Sequence, residues 1–202
     1  MSGHPQRRRV TTGKRNVRRT TAPWRSWAIG AAVVAALLVL GALARQPSPY
    51  TLSAHGSPAL LKAVRTFPSE GRGHVAPGTE IRYETTPPTS GPHYPTPTTP
   101  GFYAPSPQMS GNLVHSLEHG NVVVYYRPNG LKPADKAALQ SWANQYSGPW
   151  NGFVVVPNPY PSPPYLVLTA WTHMMVLGHY DPAAVNAFAS EYLGRGPENP
   201  VR

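Results

Sequence analysis

Val114-His115-Ser116-Leu117-Glu118-His119-Gly120 runs directly into Asn121-Val122-Val123-Val124-Tyr125-Tyr126, and the reading of this stretch decides the fold. Val122 to Tyr126 is β-branched and aromatic, and Val122 to Arg127 reads as a buried strand. The residues before it place two imidazoles four positions apart, with a carboxylate beside the second. That spacing keeps His115 and His119 on one face whether the segment is helical or extended. A convergent histidine pair therefore stands at the mouth of a core strand.

Downstream, Pro133 to Tyr146 reads as a helix. Pro133 opens it, Leu139, Trp142 and Tyr146 recur at spacings of three and four, and Gly148-Pro149 stops it. Phe153-Val154-Val155-Val156-Pro157 and Tyr165 to Trp171 are two further apolar strands, joined by a Pro-rich turn over Asn158 to Pro164. Asp181 to Leu193 is a second helix, N-capped by Asp181 and stopped by Gly194.

Upstream, Ser57-Pro58 starts a short helix through Val64, and Glu80-Ile81-Arg82-Tyr83-Glu84 alternates as a strand does. Residues 85–109 hold eight prolines, too many for a helix or a central strand. Tyr94, Phe102 and Tyr103 give this stretch aromatic surface to bury, and proline stiffening lowers the entropy lost in fixing one conformation. An ordered loop that presents His93 is favoured over a solvated linker. The expected fold class is α+β: a small, mainly antiparallel sheet of about three to five strands, two helices on one face and a long Pro-rich ordered loop.

The chain has 202 residues and a net charge of +10, which resembles a nucleic-acid binder until the charge is located. Residues 1–25 carry +8 and no acid, leaving +2 for everything after them. Such a tail cannot bury enough surface to fold and is expected to be disordered, and nucleic acid is not the expected partner. Trp27 to Ala44 is an uncharged run of 18 residues, and a helix of that length rises about 27 Å against a hydrocarbon core of roughly 30 Å. Arg25 and Arg45 flank it, and Trp24 and Trp27 suit the interfacial belt. The positive-inside bias keeps the N-terminus cytoplasmic and sends the rest across the membrane. Ala42-Leu43-Ala44 resembles a signal-peptidase site, but the run exceeds an ordinary signal core, so a retained single-pass anchor in the plasma membrane is favoured over a cleaved signal. The expected organisation is a basic cytoplasmic tail over 1–25, a transmembrane helix over 26–45, a linker with a short helix over 46–69, and an extracytoplasmic globular domain over 70–199. With no cysteine in the chain, disulfides, thiolate metal sites and cysteine nucleophiles are excluded.

Several motifs carry a family resemblance: Gly73-His74-Val75, Pro87-Pro88-Thr89-Ser90-Gly91-Pro92-His93-Tyr94, Gly101-Phe102-Tyr103, the segment Val114 to Gly120 with its Val-rich strand, Thr169-Ala170-Trp171 and Gly196-Pro197-Glu198. Over roughly residues 70–199 the chain resembles the bacterial domain-of-unknown-function family 3105, with Asn121 where the family often has an aromatic residue. The resemblance implies a membrane-anchored, exported domain and brings no activity with it.

Site chemistry must then come from the residues. His74, His93, His115 and His119 lie in or beside these motifs, and four neutral imidazoles could surround one divalent ion, with Glu118 as a further ligand or as an orienting carboxylate. Histidine nitrogen suits zinc(II) or copper(II). Met109, Met174 and Met175 could add thioether, and His173 and His179 either form a secondary soft-metal site or sit in surface turns, the reading favoured here. Three functions stay open. One is a membrane-tethered metal-binding domain. The second is a cell-envelope interaction module that docks a protein partner through Tyr94, Phe102 or Tyr103, with structural histidines and Glu118 paired to Arg82 or Arg127. The least favoured is a catalytic His/Glu site, because Ser90 and Ser116 occupy no nucleophile elbow and no Asp is placed to orient a base.

Overall fold

The computed structural model describes residues 32–35, 48 and 50–198. They fall into two units divided after Pro47, and each is taken by itself. The first is a turn of helix at 32–35; the expected basic tail and the rest of the expected span lie outside the described residues. Among the described residues no helix is long and apolar enough to cross a membrane.

The second unit is α+β and is built on one six-stranded sheet. In chain order its elements are α1 (Pro58–Leu61), β1 (Val64–Thr66), β2 (Gly101–Phe102), α2 (Ser110–Glu118), β3 (Val122–Tyr126), α3 (Pro133–Gln145), β4 (Phe153–Pro157), β5 (Leu166–Ala170), β6 (His173–Leu177) and α4 (Pro182–Tyr192). The strand order is β1-β6-β5-β3-β4-β2. This sheet is mixed rather than mainly antiparallel: β3 pairs parallel with β4, and β4 parallel with β2. The connection explains the difference. Helix α3 returns the chain to the starting end of β3 before β4 begins, so the two strands must run the same way.

All five residues of β3 and all five of β4 are buried, because both faces of the sheet are covered. Val122, Val124, Tyr126, Phe153 and Val155 face the core formed with Leu139 and Trp142 of α3 and Val185 and Phe188 of α4. Val123, Tyr125, Val154 and Val156 face the other core, with Leu113 and Leu117 of α2. The two expected helices do share one face, and a third, shorter helix occupies the opposite one.

Local chemistry accounts for the helix ends. Asp181 caps α4, its Oδ1 accepting from the Ala183 and Ala184 amides at 2.9 and 3.2 Å. Helix α2 ends in a Schellman turn: the Gly120 amide donates to the Leu117 carbonyl and the Asn121 amide to the Ser116 carbonyl, each at 3.0 Å. Gly120 has φ +97°, a conformation that costs an L side chain roughly 1–2 kcal/mol. The short first helix stops at Leu61, and Val64, expected within it, instead opens a strand antiparallel to β6. Residues expected as a linker thus supply an edge strand, and Tyr50 packs edge-on to Trp142 with ring centroids 5.1 Å apart.

Residues 80–84 form no strand. Their alternation marks one anchored side chain, Tyr83, whose hydroxyl donates to the Pro92 carbonyl at 2.8 Å. The Pro-rich segment is an ordered loop pinned over α2. The Tyr94 amide donates to Gly111, the Thr98 amide to Asn112, and the Ser116 hydroxyl to the Thr98 carbonyl at 2.8 Å. Helix and loop together cover the second face.

Candidate metal centre

Two backbone devices aim the histidines. The His93 amide donates to the Gly73 carbonyl at 3.0 Å and the Val75 amide to the His93 carbonyl at 2.8 Å, a parallel bridge that sets His74 beside His93. The nine residues of α2 place His115 one turn before His119, its C-cap. The rings gather as a result: centroids lie 4.9 Å apart for His74 and His93, for His74 and His115, and for His93 and His115, and 4.6 Å apart for His115 and His119.

Hydrogen bonding decides which nitrogens are available. His93 Nδ1 lies 2.9 Å from the Gly91 carbonyl and His115 Nδ1 2.7 Å from the Tyr94 carbonyl. A carbonyl only accepts, so in each neutral ring Nδ1 carries the hydrogen and Nε2 keeps a bare lone pair. Both residues are buried, His93 completely. Burial is the main force lowering the His115 pKa below its ordinary value, opposed by its bond to Tyr94 and reinforced by His119, His93 and His74. A neutral imidazole is the form that binds metal.

Glu118 lies at the centre. Its Oε1 accepts from Arg72 Nε at 3.0 Å, and its Oε2 stands 2.9 Å from His93 Nε2. That nitrogen makes no aligned hydrogen bond. With the ring hydrogen on Nδ1 alone, two acceptors face each other in a buried place, an opposition that is relieved either by a metal ion or by a second ring proton on Nε2. Trp171 closes the inner side, edge-on to His93 at 6.5 Å.

One donor atom from each of His74, His93, His115 and Glu118 lies within 4.8 Å of the others. His115, His119 and Glu198 make a second set on the same measure. The five residues expected from the sequence are therefore brought together, but His119 belongs to the second set. Its Nε2 lies 3.0 Å from Glu198 Oε2, and its ring stacks on Trp150 at 3.9 Å. Three participants were not expected: Arg72, Trp150 and Glu198. Arg72 pairs with Glu118 in place of Arg82, which bonds Glu80, or Arg127, which bonds the Pro163 carbonyl.

Glu198 arrives through glycine. The Gly194 amide donates to the Gly120 carbonyl at 2.8 Å, and a Cβ on Gly196 would stand 2.1 Å from the Glu118 carbonyl oxygen. Only a bare backbone passes so near the end of α2. Asn121 pins the loop of Trp150: its amide donates to the Pro149 carbonyl at 3.0 Å and its oxygen accepts from the Gly152 amide at 2.7 Å. The Gly196-Pro197-Glu198 motif was a visible signal for Glu198, whereas nothing local marked Trp150.

The other candidates separate. Met174 and Met175 are buried in opposite cores, so they cannot share an ion with His173 and His179. His173 is not in a turn but in β6, stacked on Tyr192 at 4.4 Å. The Ser116 hydroxyl is bound to carbonyls. Tyr94 is buried, its ring against Gly111.

No curated protein and no solved structure matches the chain. A family model described as protein of unknown function (DUF3105) matches residues 74–202, a stretch that holds every member of both donor sets. The chain belongs to that family.

Proposed function

We propose that this protein is a membrane-tethered, extracytoplasmic domain that binds one zinc(II) or copper(II) ion through His74, His93 and His115, with Glu118 as the fourth donor or as the carboxylate that orients His93. The observation that carries this reading is the pair His93 Nε2 and Glu118 Oε2, two buried acceptors 2.9 Å apart with no hydrogen aligned between them. A bound cation relieves that opposition. The carbonyls on His93 and His115 Nδ1 support it, since second-shell acceptors commonly fix the tautomer of ligand histidines. All-nitrogen and oxygen donors suit the divalent ions better than copper(I). The tether is residues 26–45 and the direction of insertion follows from the basic tail.

Calorimetric titration of the full chain in detergent, stripped with chelator, tests the reading at pH 7. One equivalent of zinc(II) or copper(II) is expected, and none after His93→Ala with His115→Ala. Absence of binding at micromolar metal would end it.

A second reading, a docking module for a cell-envelope protein, draws on a groove of about 280 Å³ lined by Phe102, Pro105, Tyr126, Leu131 and Lys136. Phe102→Ala would abolish capture of such a partner while leaving metal binding intact. Tyr94, buried against α2, takes no part.

A further inference from the structure

The two donor sets share His115, and that residue has one lone pair to give. Its Nδ1 is bonded to the Tyr94 carbonyl at 2.7 Å, so Nε2 must serve whichever set is filled. Two ions cannot both use it. The sets also differ in the depth of their paired imidazole and carboxylate: His93 and Glu118 side chains are 0% and 5% exposed, those of His119 and Glu198 13% and 41%, while His74 of the first set is exposed. Each set contains an imidazole nitrogen and a carboxylate oxygen at nearly the same separation, 2.9 Å in one and 3.0 Å in the other. His119 Nδ1 is a further buried polar atom without a partner. Taken together, the rings form a row from exposed His74 through buried His115 to His119, with neighbouring centroids under 5 Å apart, and Glu198 meets the end of the row at His119 Nε2.

We propose that the two sets are one site with two positions that turn on His115: an inner position with His74, His93 and Glu118, and an outer position with His119 and Glu198, between which a single divalent ion passes. This rests on the metal reading above and adds transfer to it. An ion moving between the positions keeps His115 Nε2 throughout and exchanges its remaining donors one at a time. No step leaves it bare in a buried place. The arrangement fits a protein that receives an ion and gives it up, rather than one that keeps an ion as a structural staple.

The test uses the full chain in detergent, titrated with zinc(II) alone against a competing chelator. Wild type is expected to bind one equivalent. His74→Ala with His93→Ala removes the inner position, and one equivalent should remain, held more weakly and lost on adding Glu198→Gln. His119→Ala with Glu198→Gln removes the outer position, and one equivalent should remain with chelator-driven release slowed several-fold. Because the second variant leaves the bridge between residues 74 and 93 untouched, it decides the matter even if the first fails to fold. Two equivalents on wild type, no zinc on a folded inner-position variant, or unchanged release from the outer-position variant would each overturn the two-position site while leaving the metal reading standing. No zinc on wild type would remove both.

Discussion

The two faces of the sheet solve the same burial problem with different materials. On one, α3 and α4 cover the strands, packing Trp142 and Phe188 against Phe153 of β4 in a core that is mainly aliphatic and aromatic. On the other, a nine-residue helix and a Pro-rich loop bring His93, His115, Ser116, Glu118, Thr89 and Ser90 into the interior beside the aliphatic residues. The first face needs only bulk. The second must find partners for the polar groups it buries, so backbone carbonyls hold His93 Nδ1, His115 Nδ1 and the Ser116 hydroxyl, and the atoms left over, His93 Nε2 and His119 Nδ1, are where chemistry becomes available. The first face gives stability and the second gives a site.

The largest test of that division is Trp142→Ala. Removing this fully buried ring should cost about 3–5 kcal/mol in denaturant unfolding, with metal stoichiometry per folded molecule unchanged. A loss of metal binding from the folded variant would show that the two faces are not separable. Next in size is the metal itself. Zinc(II) at 100 times its dissociation constant should stabilise wild type by about 2.7 kcal/mol and should not move the melting curve of the variant carrying His93→Ala and His115→Ala. An equal shift in both would place the ion elsewhere.

Gly120→Ala comes third, at roughly 1–2 kcal/mol for the left-handed conformation alone. Its new methyl would also stand 2.7 Å from the Gly196 amide nitrogen, so Glu198 should be displaced from His119 as well. An unaltered His119 environment in that variant would contradict the role given to the glycine strap. Smallest is a pH effect in metal-free protein. His115 titrates below its ordinary value of 6.5 in the folded state, mainly through burial. Above about 6.5 it is neutral whether folded or unfolded and contributes no slope. As pH falls below that, the unfolded chain takes up the proton first, and stability declines until the lowered folded value is passed. His115→Asn should flatten this decline, and an unchanged slope would assign it to other groups.

The apolar face was the legible one. Helices α3 and α4 announce themselves through Pro133, Asp181, Gly194 and the spacing of Leu139, Trp142 and Tyr146, all of which act within a turn or two of the chain. What could not be read is whatever depends on distant partners. Strand β6 lay hidden because the turn before it, Trp171-Thr172, lacks the usual glycine or asparagine. Thr172 instead adopts φ +62°, held where its amide donates to the Thr89 carbonyl at 2.9 Å. Parallel pairing of β3 with β4 is a property of the crossover through α3, not of either strand. At the site, His74, His93, His115, Glu118 and His119 stood out because each lies in or beside a motif. Arg72 and Trp150 did not, since the side chain of one and the loop of the other reach the cluster only through tertiary contacts, with Glu118 and with Asn121.

The most direct measurement is a crystal structure of the zinc-loaded full chain with anomalous scattering recorded at the zinc edge. A single peak among His74, His93 and His115, at about 2.0–2.1 Å from their nitrogens, is the predicted result. A peak away from these rings, or none in crystals grown with saturating zinc, would contradict the account and leave the imidazole cluster as packing alone.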